Sequence, residues 1–410
     1  MKLIFTGDFS VSGVFSQKVS SGDEILDRDI QEIFQSADYV NINLENPVTN
    51  APFREKKGIA LKAPPNTVRY LKDRYISICT LANNHIMDCG DIGLKDTIDL
   101  LNQNGIEFYG IGGYHPYILL NKDDVKVALI ASCHKEGPLW DGYNPAPFSL
   151  KIRDLKQLIK EIKDNDEPDY IIFSYHGGTE FNLIPEPGRR KFFHKLADLG
   201  INIIIGHHAH VPQGIEVRER SIIIYGLGNF CFDIPNHKSH QYTSESYFIE
   251  LNLVKNKSPS IKKYYLTIDR NTGYVSLNKN EAVSKYFDDK LQVFQTSKDY
   301  NTHWEREAFR VYFGNKLTSN ANNSKKLHEV PEAIGIPDEK GEGHFHTKSL
   351  GKPVFLNKIN KMVQNSINEK GLIQTIYLSM RMITRDITRP SRRVLLIGAT
   401  KYVLKRTENG

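Results

Sequence analysis

Three histidines fall within four residues at His207, His208 and His210, directly after the apolar run Ile203-Ile204-Ile205 and the breaker Gly206. An imidazole offers a ring nitrogen as a metal ligand or a proton carrier. Four other apolar runs end in the same way, in Asp8, in Glu45, in Asn84 with His85, and in His176. Sites of α/β proteins lie beyond the carboxyl ends of their strands, so parallel strands bring all five ends to one rim. Carboxylates, an amide oxygen and imidazoles form a mixed hard and borderline donor set. It suits Mn²⁺, Fe or Zn²⁺ better than an all-oxygen Ca²⁺ cage or a thiolate site. Two such ions about 3.5–4 Å apart activate water and clamp both oxygens of an in-line displacement at phosphorus. A bridging carboxylate holds such a pair together, and Glu45 is the candidate.

Other residues bear on a substrate. Arg54, Lys56, Lys57 and Lys62 form a basic loop just after Glu45 and could supply charge to an anionic substrate. Asn83 and His207 join Arg54 and Lys62 as substrate-binding candidates. Gly177-Gly178 after His176 lets a ligand approach the backbone, or simply makes a turn. His194 reads as a helix histidine, and His134, His237 and His240 as loop histidines without a role. His344 and His346 form an incidental HxH pair. Asn229, in the turn Gly226–Phe230, could reach the site or hold the loop, and structural support is the expected role.

The elements that must position these residues follow from periodicity. Strands are expected at Lys2–Thr6, Tyr39–Asn43, Ile76–Leu81, Val125–Ala131, Tyr170–Ser174, Ile203–Ile205 and Ser221–Tyr225. Helical spacing appears at Glu24–Ser36, Pro65–Lys72, Asp91–Asn102, Asp154–Lys163 and Arg189–Leu199. Strands alternating with helices give an α/β fold. Tyr247–Val254 and Lys262–Asp269 alternate apolar and polar residues as half-buried antiparallel strands do. Helical patterns resume at Glu281–Phe294 and His303–Phe313, and again near 354–367, 371–384 and 391–405.

This divides the 410 residues into a main domain over 1–270, a helical extension packed on it over 271–317, a flexible linker over 318–350 and a basic helical tail over 351–410. The tail holds twelve Lys or Arg against three Asp or Glu, so it carries +9 while 1–350 carries −3. The tail therefore suits an anionic surface, such as a membrane, a nucleic acid or an acidic polymer, and reads equally well as a solvated helical face. The slightly acidic body, with no aromatic pattern beside the charges, argues against a nucleic-acid partner. Cys79, Cys89, Cys133 and Cys231 form no CxxC pair and read as reduced thiols. The first residues are too short an apolar run for a secretory leader, and no run of about 18 apolar residues predicts a membrane span. A cytoplasmic protein, peripheral to a membrane at most, is expected.

Several blocks together resemble the bacterial capsule-synthesis family of CapA-like or poly-γ-glutamate biosynthesis proteins, distant relatives of the calcineurin-like metallophosphoesterases. They are Gly7-Asp8, Asn43-Leu44-Glu45-Asn46-Pro47, Leu81 through Gly90 (LANNHIMDCG), His176-Gly177-Gly178-Thr179-Glu180, Gly206 through Gly214 (GHHAHVPQG) and Tyr225 through Phe230 (YGLGNF). They stand in order over roughly 1–235.

The resemblance implies a four-layer α/β/β/α sandwich, metallo-dependent phosphatase-like, with the site at the strand ends and a mostly helical C-terminal extension. It implies Asp8, Glu45, Asn84, His176, His208 and His210 as metal ligands, with Glu45 bridging. It implies that His85 protonates a leaving group, with Asp88 orienting it. Two positions depart from the phosphoesterase pattern: Ser10 stands where Asp-x-His has its histidine, and Asn83 where Gly-Asn-His has its glycine. The expected activity is that of a metal-dependent hydrolase or phosphoesterase in polyanionic capsule or poly-γ-glutamate synthesis. One or two divalent ions (Mn, Fe or Zn) would activate a water against a phosphoryl or acyl centre of an anionic small-molecule or polymer substrate. The alternative expectation is a non-catalytic accessory subunit of a polymer synthesis or export assembly, docked on a membrane-associated synthase through the basic tail.

Overall fold

Buried parallel strands read as unbroken apolar runs because both faces are covered, and this chain builds two sheets from such runs. The computed structural model describes residues 1–54, 59–134, 146–147, 152–292, 300–309 and 311. In the first sheet β1 (Lys2–Phe9), β2 (Tyr39–Leu44), β3 (Ile78–Thr80) and β4 (Glu107–Tyr109) run parallel. The other side of β1 is shared along its length. Antiparallel β14 (Glu245–Asn252) takes Lys2–Phe5, and parallel β13 (Asn229–Cys231) takes Asp8 and Phe9. β15 (Ser260–Asp269) and β16 (Tyr274–Leu277) continue the sheet as an antiparallel meander.

The second sheet has the order β11 (Ile215–Arg218), β12 (Ser221–Ile224), β10 (Ile203–His207), β9 (Tyr170–His176), β7 (Val125–Cys133), β6 (Tyr117–Lys122). Its four inner strands are parallel and its two edges antiparallel. A small ribbon pairs β5 (Ile111–Gly112) with β8 (Ala146–Pro147).

Side chains alternate across a strand, and the core follows that alternation. Val127, Leu129, Ala131, Ile172, Ile203 and Ile205 join the apolar core shared with the first sheet. The opposite face of the second sheet is packed by a helix: Tyr175 lies on Phe192 and Phe193 of α6 (Pro187–Asp198). α5 (Ile152–Asp166) likewise buries Leu155, Ile159 and Ile162. On the first sheet, Phe34 of α2 (Arg28–Gln35) packs on Phe230 and Phe248. α1 (Val14–Ser21), α3 (Asn66–Asp73) and α4 (Gly90–Gln103) bury Phe15, Val68, Leu71 and Leu94 in the same core. Helices thus flank two sheets, as the resemblance implied. α7 (Pro235–Lys238) is one turn after β13, and α8 (Glu281–Gln292) follows β16.

The structure adds β4, β6, β11, β13, β16 and α1 to the expected elements. The strands are short or lie at edges, and α1 buries only Phe15 and Val19, so none leaves a long periodic signature. The first sheet also runs past the expected domain end at 270, closing with β16. The chain divides into two units, Met1–Leu183 with Arg190–Gln295, and Ile184–Arg189 with Thr296–Gly410. Described parts of the second include α9 (Tyr300–Phe309), whose Tyr300 hydroxyl donates to the Pro185 carbonyl. The expected linker, the basic tail and the pair His344 and His346 lie outside the described residues, as do Lys56 and Lys57. Among the described residues no helix is long and apolar enough to cross a membrane.

Candidate metal centre

Strand register sets the site. In the first sheet Asp8 stands level with Asn43 on β2 and with Asn229 on β13. In the second sheet His176 stands level with His207 on β10 and Cys133 on β7. Both rows lie at the carboxyl ends of the parallel strands, where the apolar runs stop. The loops after β2, β3 and β10 add Glu45, Asn84, His208 and His210.

These side chains converge. Asp8 Oδ1 lies 3.1 Å from His207 Nδ1, and Asp8 Oδ2 lies 3.2 Å from His210 Nδ1 and accepts the His208 backbone N–H at 3.1 Å. Glu45 Oε1 is 3.5 Å from His176 Nε2 and 3.8 Å from His210 Nε2. His176 Nε2 lies 2.9 Å from Asn84 Oδ1 and 3.2 Å from His208 Nδ1. All are buried, Asp8 to 1% exposure and Glu45 to 0%. Two subsets hold ligand atoms within 4.8 Å of one another, Asp8–Glu45–His176 and Glu45–His208–His210. Glu45 is common to both.

Local backbone shapes this cluster. His208 (φ 83°) and His210 (φ 57°) both adopt the left-handed region, which costs a non-glycine residue about 1–3 kcal/mol. That turn points both rings inward and aims the His208 N–H at Asp8. Gly7 has a different task. A Cβ there would come 2.1 Å from the Gly228 carbonyl oxygen, so only glycine lets β13 close on β1, where Asp8 N–H donates to that carbonyl at 2.9 Å.

The electrostatics favour electron-pair donors. Burial pushes the Asp8 carboxyl up, but hydrogen bonds and charge from His207 and His210 outweigh it and hold it well below the usual carboxylate range. Burial, then the neighbouring His208, holds the His176 imidazole well below its ordinary value. A carboxylate and a neutral imidazole are the forms that bind a divalent cation. The donor set of two carboxylates, one amide oxygen and imidazoles therefore fits a divalent ion. Asp8, Glu45, Asn84, His176, His208 and His210 are the residues that would hold it.

The neighbouring positions divide by what they touch. His85 Nδ1 lies 2.6 Å from Asp88 Oδ2, which also accepts the Leu61 N–H at 2.7 Å. Asn83 spends its amide on the backbone: Nδ2 donates to Leu44 O at 2.8 Å, and Oδ1 accepts the N–H groups of His85 and Ile86. It shapes the turn that presents Asn84 and His85. The Arg54 N–H donates to Asp88 O, which sets that residue beside the His85 turn. The Lys62 ammonium donates to Ala51 O at 2.8 Å and lies over the Phe53 ring. His207 lies behind Asp8 at 2% exposure. Glu180 Oε1 is 3.8 Å from His208 Nε2.

Three residues at the centre were not among the expected site residues. Asn43 Nδ2 lies 2.9 Å from Asp8 Oδ1 and 3.1 Å from His176 Nδ1, linking the two sheets. A polar residue inside the apolar run YVNINL was the available signal. Asn229 Oδ1 lies 3.0 Å from His210 Nδ1. His237, read as a loop histidine, is 1% exposed, and its ring centroid is 4.3 Å from that of His210. Burial, then His210, holds its imidazole well below the ordinary value. No local pattern distinguishes it.

A family model described as bacterial capsule synthesis protein PGA_cap matches residues 2–234. Capsule biosynthesis protein CapA of Bacillus anthracis is 28% identical over 298 residues, covering 66% of this chain and 72% of that protein. PGA biosynthesis protein CapA of Bacillus subtilis (strain 168) is 28% identical over 333 residues, covering 79% and 83%. Among solved structures, one titled as a novel phosphatase from Mycoplasma pneumoniae aligns with a TM-score of 0.38 at 16% identity, covering 67% of this chain and 90% of that one.

Proposed function

The chain belongs to the bacterial capsule synthesis protein family PGA_cap, and from that premise we propose that it is a metal-dependent hydrolase of the phosphoesterase type, serving the synthesis of a polyanionic polymer such as a capsule or poly-γ-glutamate. One observation carries the reading. Two carboxylates, an amide oxygen and three imidazoles from both sheets meet in one buried cluster with Glu45 shared between its halves. A divalent ion bound there would supply Lewis acidity and an activated water near neutral pH.

The protein's own groups do the rest. Asp8 and Glu45 bring negative charge, and His176, His208 and His210 bring ring nitrogens. Asp88 faces His85 Nδ1 and orients that ring, which leaves Nε2 as the position from which a proton passes to a leaving group. The substrate is anionic, with Arg54 and Lys62 beside the His85 turn as its candidate contacts. The tail over 351–410 is proposed to dock on a membrane-associated synthase, and its deletion should shift the protein's localisation while leaving its metal content alone.

Phosphoester hydrolysis by purified protein with added Mn²⁺ tests the reading. Activity in the wild type that disappears in Asp8→Ala and His208→Ala supports it, and an inactive wild type sinks it. A second reading has its own observation. Ser10, where the phosphoesterase pattern has histidine, is fully buried and its Oγ has no hydrogen-bond partner among the described residues. A short hydroxyl there subtracts a ligand, and a non-catalytic accessory protein that keeps one ion as a structural element would follow. Metal uptake without turnover is its signature.

A further inference from the structure

We propose that Asn229 is a positioning residue that fixes the proton of His210 on Nδ1 and so reserves Nε2 for the ion; the proposal rests on the metal-centre reading above. The amide orientation of an asparagine is set by its network, and here the network leaves one choice. Asn229 Nδ2 donates to His210 O at 3.1 Å and to Thr243 O at 3.0 Å, and lies 3.3 Å from His237 Nδ1. Reversing the amide would set Oδ1 against two carbonyl oxygens. Oδ1 therefore faces His210 Nδ1 at 3.0 Å, and that nitrogen must carry the hydrogen. The lone pair is left on Nε2, the atom nearer Glu45.

Asp8 Oδ2 also lies within reach of His210 Nδ1, at 3.2 Å. Asp8 is itself a candidate ligand, however, and a bound ion draws on its oxygens. The Asn229 amide makes no such contact and keeps its hold in either state. Its own position is fixed by backbone. Gly228 turns at φ 81°, its carbonyl accepts the Asp8 N–H, and Asn229 stands level with Asp8 on β13. From the other side Arg270 donates Nε–H to Phe232 O at 2.8 Å and Nη2–H to Thr243 O. One guanidinium thus ties both ends of the loop that carries His237 and shares the Thr243 carbonyl with Asn229. Partners that orient a ligand histidine are worth about 10–100-fold in metal affinity.

The test begins with metal-free protein labelled with nitrogen-15 histidine. Nuclear magnetic resonance separates protonated from unprotonated ring nitrogens, and the His210 signal is identified by its loss in His210→Gln. The expected result is a proton on Nδ1 in the wild type. Calorimetry with Mn²⁺ alone should then show Asn229→Ala binding about 10–100-fold more weakly than wild type, with the Nδ1 preference reduced in its spectrum. A wild-type His210 protonated on Nε2 overturns the proposal, as does a folded Asn229→Ala that binds Mn²⁺ like wild type. If Asn229→Ala does not fold, Asn229→Ser is measured in its place, and a wild-type His210 protonated on Nε2 overturns the proposal without any variant. A wild type that takes up no Mn²⁺ overturns the metal-centre reading and with it the reservation of Nε2 for an ion, while His210 protonated on Nδ1 there, with that preference reduced in Asn229→Ala, still supports Asn229 as the residue that fixes the proton.

Discussion

Gly7→Ala adds one methyl group and should disable the site without touching any ligand. The added Cβ would lie 2.1 Å from Gly228 O and 2.9 Å from its carbonyl carbon. Both are backbone atoms, so no side chain can swing aside. Ordinary contact for such a pair begins at 3.4 Å, so β13 must retreat from β1 by about 1 Å, whereas metal–ligand distances tolerate only about 0.2 Å. The retreat breaks the Asp8 N–H to Gly228 O bond and carries Asn229 away from His210. Overpacking of this kind costs about 1–3 kcal/mol. Urea unfolding of metal-free protein should show that loss, and calorimetry with Mn²⁺ should show affinity reduced at least about 10-fold, the lower end for a disturbed ligand partner. A Gly7→Ala variant that unfolds at the wild-type midpoint and binds Mn²⁺ equally would refute the argument that strand closure positions the site.

Stability of the metal-free protein should fall as the pH drops. His176 and His237 have folded pKa values below 6.5, so the unfolded chain binds more protons there. Their contribution is whole above about pH 7 and is lost downward, with a limiting slope of about 1.4 kcal/mol per pH unit for each histidine. Asp8, also held low, adds a further loss below about pH 4, where the unfolded carboxyl protonates first. Urea midpoints in chelator that stay level from neutral to mildly acid pH contradict this, and His237→Gln should remove one histidine's share of the slope. His85→Ala should lower phosphoester turnover by about 10²–10⁴-fold with bound Mn²⁺ unchanged; loss of the metal instead would make His85 a ligand.

Much of the site was legible because buried parallel strands announce themselves. Runs such as YIIFS and IIIGH cannot serve a solvated surface, and the polar residue that ends each one marks a strand terminus. Asp8, Glu45, Asn84, His176, His208 and His210 were all visible in that way, and the structure brings them together. What stayed hidden depends on contacts between distant segments. His237 looks like any loop histidine until Phe181 and Phe232 close around it. Asn229 looks like a turn residue until Gly7 admits β13 beside β1. The backbone contacts of Asn83 and Lys62 were equally hidden: the Asn83 amide is bonded to groups of Leu44, His85 and Ile86, and the Lys62 ammonium to the Ala51 carbonyl. Short edge strands such as β4 and β16 are defined by their partners, and three or four residues hold too little periodicity to be read alone.

The claim that two sheets meet in a metal centre is tested most directly by diffraction from a crystal soaked in Mn²⁺ and phosphate, with anomalous data collected at the manganese edge. The expected result is a peak bounded by Glu45, His208 and His210, a peak bounded by Asp8, Glu45 and His176, or both, with the anion beside them. Density that shows no manganese within reach of Glu45 in a crystal that binds the ion elsewhere would contradict it.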